Sequence, residues 1–130
     1  MTNVTKLPNT TEISFGGITM QCRLSGKATL MAEKRLKESI VGLFVKGEGE
    51  VKFPPIHSLL VIIHESNTTS GIKESDIVNA FYKYVDEGGS TMDIFEMVNN
   101  MLDNSGFFGK SKDKAKDATL DEVVTDSILD

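Results

Sequence analysis

Polar and apolar residues alternate over Glu12-Ile13-Ser14-Phe15 and again over Ile18-Thr19-Met20-Gln21-Cys22-Arg23-Leu24. Gly16 and Gly17 lie between the two runs. Period-two alternation is the pattern of a strand with one buried face. A glycine pair reaches the positive φ that a tight hairpin turn requires. The pattern predicts a β-hairpin that buries Ile13, Phe15, Ile18, Met20, Cys22 and Leu24. The polar stretch before it, 1–10, reads as a flexible N-terminus.

From Ser25 the period becomes helical. Ser25 can cap a helix, and Ala32, Leu36, Ile40, Leu43 and Phe44 recur on one face, with Glu33 and Lys37 four apart on the other. One helix is predicted over 26–45. Lys46 to Lys52 (KGEGEVK) reads as a loop, with a short strand near Val51–Phe53. Pro54-Pro55 suits a helix start, where a missing N–H leaves nothing unpaired. Ile56, Leu59, Leu60 and Ile63 form a stripe that Val61 and Ile62 widen, so the helix to Ser66 should be central. A short strand is the rival for its β-branched part. Asn67 to Gly71 is a polar loop. Ser75 is placed to cap a third helix that buries Ile77, Val78, Phe81 and Val85 and ends at Gly88. Ser90 opens a fourth, and Asp93 three residues on is close to a capping box. That helix has two apolar stripes. Phe95, Val98 and Leu102 form one; Met92, Ile94, Met97 and Met101 form the other. Gly106 ends it, and Phe107-Phe108 should fold back onto the core. The fold class predicted is α+β, mostly α: an N-terminal β-hairpin followed by about four helices, in one globular domain over 11–108.

Residues 109–130 differ in kind. Lys110 to Asp117 has no apolar side chain beyond Ala115 and cannot bury enough to order itself. Thr119 to Glu122 then has the form of a capping box, and Leu120, Val123, Val124 and Ile128 follow at helical spacing. The segment reads as a flexible acidic tail with a short helix at 119–129 that forms on a partner; a frayed tail is the equal alternative.

Charge sharpens this division. The formal net charge is −5, from 14 Lys and Arg against 19 Asp and Glu. Residues 1–116 sum to zero, so the whole net charge sits on Asp117, Asp121, Glu122, Asp126 and Asp130. Nothing basic is concentrated enough to hold nucleic acid. A single cysteine excludes an internal disulfide framework, and no apolar run approaches the roughly 20 residues of a membrane span. No signal peptide is apparent, so the sequons at Asn3, Asn9 and Asn67 carry no consequence, and the chain reads as cytosolic.

The candidate chemistry dissolves on inspection. Gly109-Lys110-Ser111 has the end of a phosphate-binding loop, but position 104 is Asn104 where the motif needs glycine. His64-Glu65 lacks the second histidine of a zinc protease, since position 68 is Thr68. His57 and His64 are two ligands where zinc wants three or four. Cys22 falls in a strand's apolar alternation and reads as an inert core thiol. Asp86, Glu87, Asp93 and Glu96 flank the Gly88-Gly89 turn as solvated or helix-end charges. No nucleophile, base and oxyanion donor assemble. The expectation is a non-enzyme with no metal and no cofactor.

Three blocks taken together resemble the tail assembly chaperones of long-tailed (siphovirus) bacteriophages of Gram-positive hosts. They are the hairpin with its following helix, the helix PPIHSLLVIIHESN, and SGIKESDIVNAFYKYVDEGGSTMDIFEMVNNMLDNSGFF. The last is the most specific, through the order Tyr84, Glu87, Gly88, Gly89, Ser90, then Ser105, Gly106, Phe107 and Phe108 after a helix. Lys83 stands where such proteins commonly carry aspartate, and KGEGEVK is longer than usual. The resemblance implies a chaperone that binds and solubilises the tape measure protein, assists tail tube assembly by recruiting tail tube protein, self-associates, works in the host cytoplasm, and is absent from the mature virion. No nucleic acid and no membrane partner is expected. Candidate partner-binding residues are Met92, Ile94, Met97 and Met101 on the fourth helix and Leu120, Val123, Val124 and Ile128 in the tail. Core filling is the plainer role for the methionines. The alternative function is a small cytosolic adaptor whose C-terminal amphipathic segment folds on a protein target.

Overall fold

The computed structural model describes residues 10–45 and 52–109. Strands β1 (Thr11–Phe15) and β2 (Ile18–Cys22) form an antiparallel hairpin in which Phe15 faces Ile18 across the turn. Five helices follow: α1 (Gly26–Leu36), α2 (Ile40–Phe44), α3 (Ile56–Ser66), α4 (Glu74–Asp86) and α5 (Thr91–Asn104). The class is the one expected, α+β and mostly helical. The alternation in the hairpin is realised: Ile13, Phe15, Met20, Cys22 and Leu24 are buried, and Ile18 is half-buried against them.

The single helix expected over 26–45 is instead two. Lys37 adopts the left-handed conformation (φ +60°) and its N–H donates to the Glu33 carbonyl, which closes α1. Ser39 then caps α2, its Oγ accepting from the Gly42 N–H at 2.9 Å. The Glu33 carboxylate accepts from the Ile40 N–H at 2.8 Å. Two cap groups therefore compete with helix continuation at 37–40, and the break lets Ile40, Leu43 and Phe44 turn inward. No strand forms at Lys52 and Phe53, although the Lys52 N–H donates to the Phe44 carbonyl. The rest of KGEGEVK, 46–51, lies outside the described residues, as do 1–9 and the tail 110–130 with its expected helix at 119–129. Thr10, placed with the flexible N-terminus by sequence, is buried.

Helix α3 is central, as its apolar width required. Leu59, Val61, Ile62 and Ile63 are all buried, together with Ser58 and Ser66. It packs against α1, α5 and α4. Its C-terminal end also covers the free edge of β2. The Ser66 carbonyl accepts from the Arg23 N–H, the Thr68 N–H donates to the Gln21 carbonyl, and the Gln21 N–H donates to Thr69 Oγ1. An exposed edge strand invites pairing with another chain, and this loop removes the opportunity.

Two further boundaries differ from expectation. Helix α4 starts at Glu74, one residue before Ser75, and Asp76 accepts from the Lys73 N–H at 2.8 Å. Val85, expected inside, is 38% exposed, while Ala80 is buried. The hairpin turn is what covers Ala80. Gly16 (φ +58°) and Gly17 (φ +90°) both use positive φ, and the turn lies directly on α4 at Ala80. A Cβ on Gly16 would sit 1.9 Å from the Ala80 carbonyl oxygen, whereas one on Gly17 would have only the Lys83 ammonium within reach, at 3.5 Å.

These two glycines separate turn strain from docking. Gly17→Ala should cost about 1 kcal/mol, the left-handed penalty alone. Gly16→Ala should cost at least about 2 kcal/mol more, because backbone must move. Equal losses in urea denaturation would show that the hairpin tip does not rest on α4.

Candidate functional site

The first half of the signature, Tyr84 to Ser90, forms a connected piece of structure at the α4–α5 junction. Helix α4 ends in a Schellman motif: the Gly88 N–H donates to the Val85 carbonyl and the Gly89 N–H to the Tyr84 carbonyl, with Gly88 at φ +96°. Glu87 is the exposed residue just before it. The Tyr84 ring folds over Gly89, where a Cβ would lie 2.4 Å from the ring carbons. Its hydroxyl donates to Asp93 Oδ2 at 2.8 Å and reaches the Ser90 carbonyl at 3.1 Å. Burial, and the Asp93 carboxylate, push the Tyr84 hydroxyl pKa up. Phe15 meets the other side of this tyrosine edge-on, with ring centroids 6.1 Å apart. Ser90 caps α5 through the Met92 N–H. Asp93 thus serves the tyrosine rather than closing the capping box expected with Ser90.

The second half of that signature closes α5. A Schellman motif recurs, with the Phe107 N–H donating to the Leu102 carbonyl and the Gly106 N–H to the Asp103 carbonyl. Ser105 Oγ accepts from the Leu24 N–H at 2.8 Å and donates to the Met101 carbonyl at 2.7 Å, tying α5 to the chain between β2 and α1. Phe107 and Phe108 are half-buried and pack on the core, as expected. All these groups are structural; sequence spacing alone did not show that Tyr84, Gly89 and Asp93 touch.

The four α5 candidates separate. Ile94 and Met101 are fully buried, so they fill the core and offer no client surface; this corrects the expectation. Met97 is half-buried against the core, and Met92 is 44% exposed. Around Met92 lies a shallow apolar groove of about 140 Å³, bounded by Phe53, Pro54, Ile56, Leu59, Thr91 and Phe95. Phe53 is 64% exposed and stands on Phe95 (centroids 4.9 Å), which stacks on buried Phe44 (5.8 Å). A row of three rings therefore runs from solvent into the core. Sequence reasoning missed Phe53, because a lone aromatic before two prolines carries no periodic signal. The tail candidates Leu120, Val123, Val124 and Ile128 lie outside the described residues.

No chemistry converges at this groove. Cys22 is buried, and burial pushes its thiol up to about 12, which withholds the thiolate. No three metal-ligating side chains cluster among the described residues. His64 is engaged by Arg35, whose Nη1 donates to His64 Nδ1 and to Glu65, both at 3.0 Å. Arginine has no acceptor, so this bond needs Nδ1 unprotonated. Arg35 Nη2 also binds Glu74, so one guanidinium joins α1, α3 and α4. No described helix is long and apolar enough to cross a membrane.

Fold and groove together define a small hairpin-plus-helices protein with a shallow apolar groove. The chain belongs to a family of unknown function, DUF6096, whose model matches residues 6–129. No curated protein and no solved structure matches it.

Three tests read this geometry. Tyr84→Phe should cost about 1 kcal/mol through its lost hydrogen bonds. Gly89→Ala should be strongly destabilising in the native chain and nearly neutral in a Tyr84→Ala background, a coupling that a double-mutant cycle measures; additive losses would refute the ring-on-glycine contact. The Arg35 guanidinium holds the Glu74 carboxyl below the usual carboxylate range. Stability from this pair is therefore present above the unfolded value of about 4.3 and lost as pH falls through the lower folded one. Glu74→Gln should cost under about 1 kcal/mol near neutral pH, since the pair is half-exposed, and the difference from the native chain should shrink as pH falls below the ordinary carboxylate range. A difference that persists unchanged at low pH would contradict the pairing.

Proposed function

We propose that this protein is a tail assembly chaperone of a long-tailed bacteriophage of a Gram-positive host. In this reading it binds the tape measure protein, keeps it soluble, assists assembly of the tail tube, and acts in the host cytoplasm without entering the mature virion. The supporting observation is the physical linkage of the residues that carry the resemblance. Tyr84, Gly88, Gly89 and Ser90 interlock at one end of α5, and Ser105 and Gly106 lock the other end. A likeness that rests on order and spacing gains weight when geometry dictates the spacing.

The groove supplies a means of holding a hydrophobic client. Met92 is flexible and polarizable, so it repacks against varied apolar side chains. Phe53 offers a large apolar face on a rigid base of Phe95 and Phe44. A buried, protonated Cys22 and a His64 already held by Arg35 favour a binding role over catalysis.

Co-expression with the tape measure protein encoded nearby should move that protein into the soluble fraction. Phe53→Ser combined with Met92→Ser should remove most of the rescue while the variant still folds cooperatively, because neither side chain belongs to the buried core. Absence of rescue and of any complex would sink the reading. Loss of all client binding on deleting 110–130 would instead favour the adaptor.

A further inference from the structure

We propose that the outward side of α1 docks on the end of α4 in a second copy of this chain. The inference stands on how charge and exposed apolar surface are distributed, and does not need the chaperone reading.

The helices are electrically polar. Residues 84–104, from the end of α4 through α5, carry Asp86, Glu87, Asp93, Glu96 and Asp103 and no Lys or Arg. Residues 26–37, which hold α1, carry Lys27, Lys34, Arg35 and Lys37 against Glu33, with Glu38 next in the chain. Several of these charges are engaged within the molecule. Glu33 accepts from the Ile40 N–H, Arg35 binds Glu65 and Glu74, and Asp93 accepts from the Tyr84 hydroxyl. Lys27, Lys34, Asp86 and Glu87 are exposed and form no ion pair among the described residues. The α1 cation that reaches α4 does so at Glu74, twelve residues and about 18 Å of helix from Asp86. Lys83, the one basic residue of α4, lies toward the hairpin turn at Gly17.

Each set of charges frames apolar surface left open to water. Spacings of three, four and seven put Lys27, Leu30, Met31 and Lys34 on one side of α1, away from buried Ala28 and Ala32. Leu30 is 69% exposed, the most of any large apolar side chain among the described residues. On α4, Tyr82, Val85 and Asp86 share a side by the same spacing, and Tyr82 and Val85 are both exposed. Grouped exposed apolar side chains mark a contact surface, and the charges around them select the partner. Either surface would repel its own kind. A second copy offers each of them the opposite charge and an apolar face together, so the contact joins unlike surfaces. It uses neither Phe53 nor Met92 of the groove.

Sedimentation velocity on the full chain tests the proposal. The mean mass should rise above the monomer between about 10 µM and about 1 mM protein, and association should weaken at least about tenfold between about 50 mM and about 500 mM NaCl. Lys27→Glu combined with Lys34→Glu should abolish association, and so should Asp86→Lys combined with Glu87→Lys. An equimolar mixture of the two variants should restore it, because each then meets an oppositely charged face. A circular-dichroism melt confirms that each variant is folded. A native chain that stays monomeric over this range would overturn the proposal, as would a mixture that stays monomeric. Association lost in the first variant but kept in the second would also overturn it, because α1 would then hold a different acidic segment.

Discussion

Helix α3 sets the terms for every other element. Leu59, Val61, Ile62 and Ile63 leave it no polar flank wide enough to face water. An amphipathic helix needs one apolar partner; this one needs partners on several sides. Helices α1, α5 and α4 supply them, and α3's C-terminal turn runs on to pair with β2. The chain order follows from this demand. Helix α1 forms one wall, the α4–α5 pair forms another, and α3 lies between them in sequence and packs on both, while the hairpin rests on α5 and α4. Arg35 spans the walls on the exposed side, binding Glu65 of α3 and Glu74 of α4.

Closing those walls depends on close approaches that admit no Cβ. Gly16 allows the hairpin tip to rest on Ala80, and Gly89 allows the Tyr84 ring to lie on the α4–α5 turn. Tyr84 touches both, since Phe15 beside the hairpin tip packs against it. The hairpin, α4 and α5 therefore meet around one aromatic ring. The hydroxyl of that ring joins the start of α5 through Asp93 and the Ser90 carbonyl. Ser105 repeats the logic at the other end, fastening α5 to the Leu24 backbone. With both ends fixed, α5 can bury Ile94, Val98, Met101 and Leu102 without slipping in register.

What could be read from the sequence divides along the same physical line. Periodic signals were legible: the hairpin face, the central α3, the caps at Ser25 and Ser90, and the terminating glycines at 88 and 106. Contacts between distant residues were not. Glu33 reaching the Ile40 N–H, which splits the expected long helix, involves one polar side chain and leaves no periodic trace. Ser39 carried the one local signal, a capping residue inside an apolar pattern. The burial of Ala80 could not be foreseen without knowing that Gly16 lies against α4. For the candidate surface, the Met stripe pointed to the right helix but not the right residues. A helix held at both ends buries Ile94 and Met101 and leaves Met92 at the rim. Phe53 became visible only through the rings stacked beneath it.

The groove follows from where the covering of α3 runs out. Helices α1, α4 and α5 pack on α3, but its first turn begins at Pro55 without a side-chain cap. Phe53 and Phe95 close most of that gap from the two sides, and the remainder is the apolar space beside Met92. Thr91 and Met92 reach this space from the first turn of α5, and the Tyr84 clamp on Gly89 and Ser90 fixes where that turn begins. The constraint that sets the spacing of the signature residues therefore also places side chains at the rim of the opening. A protein that binds through this opening would thus need to preserve the clamp's spacing more strictly than the identity of the groove side chains.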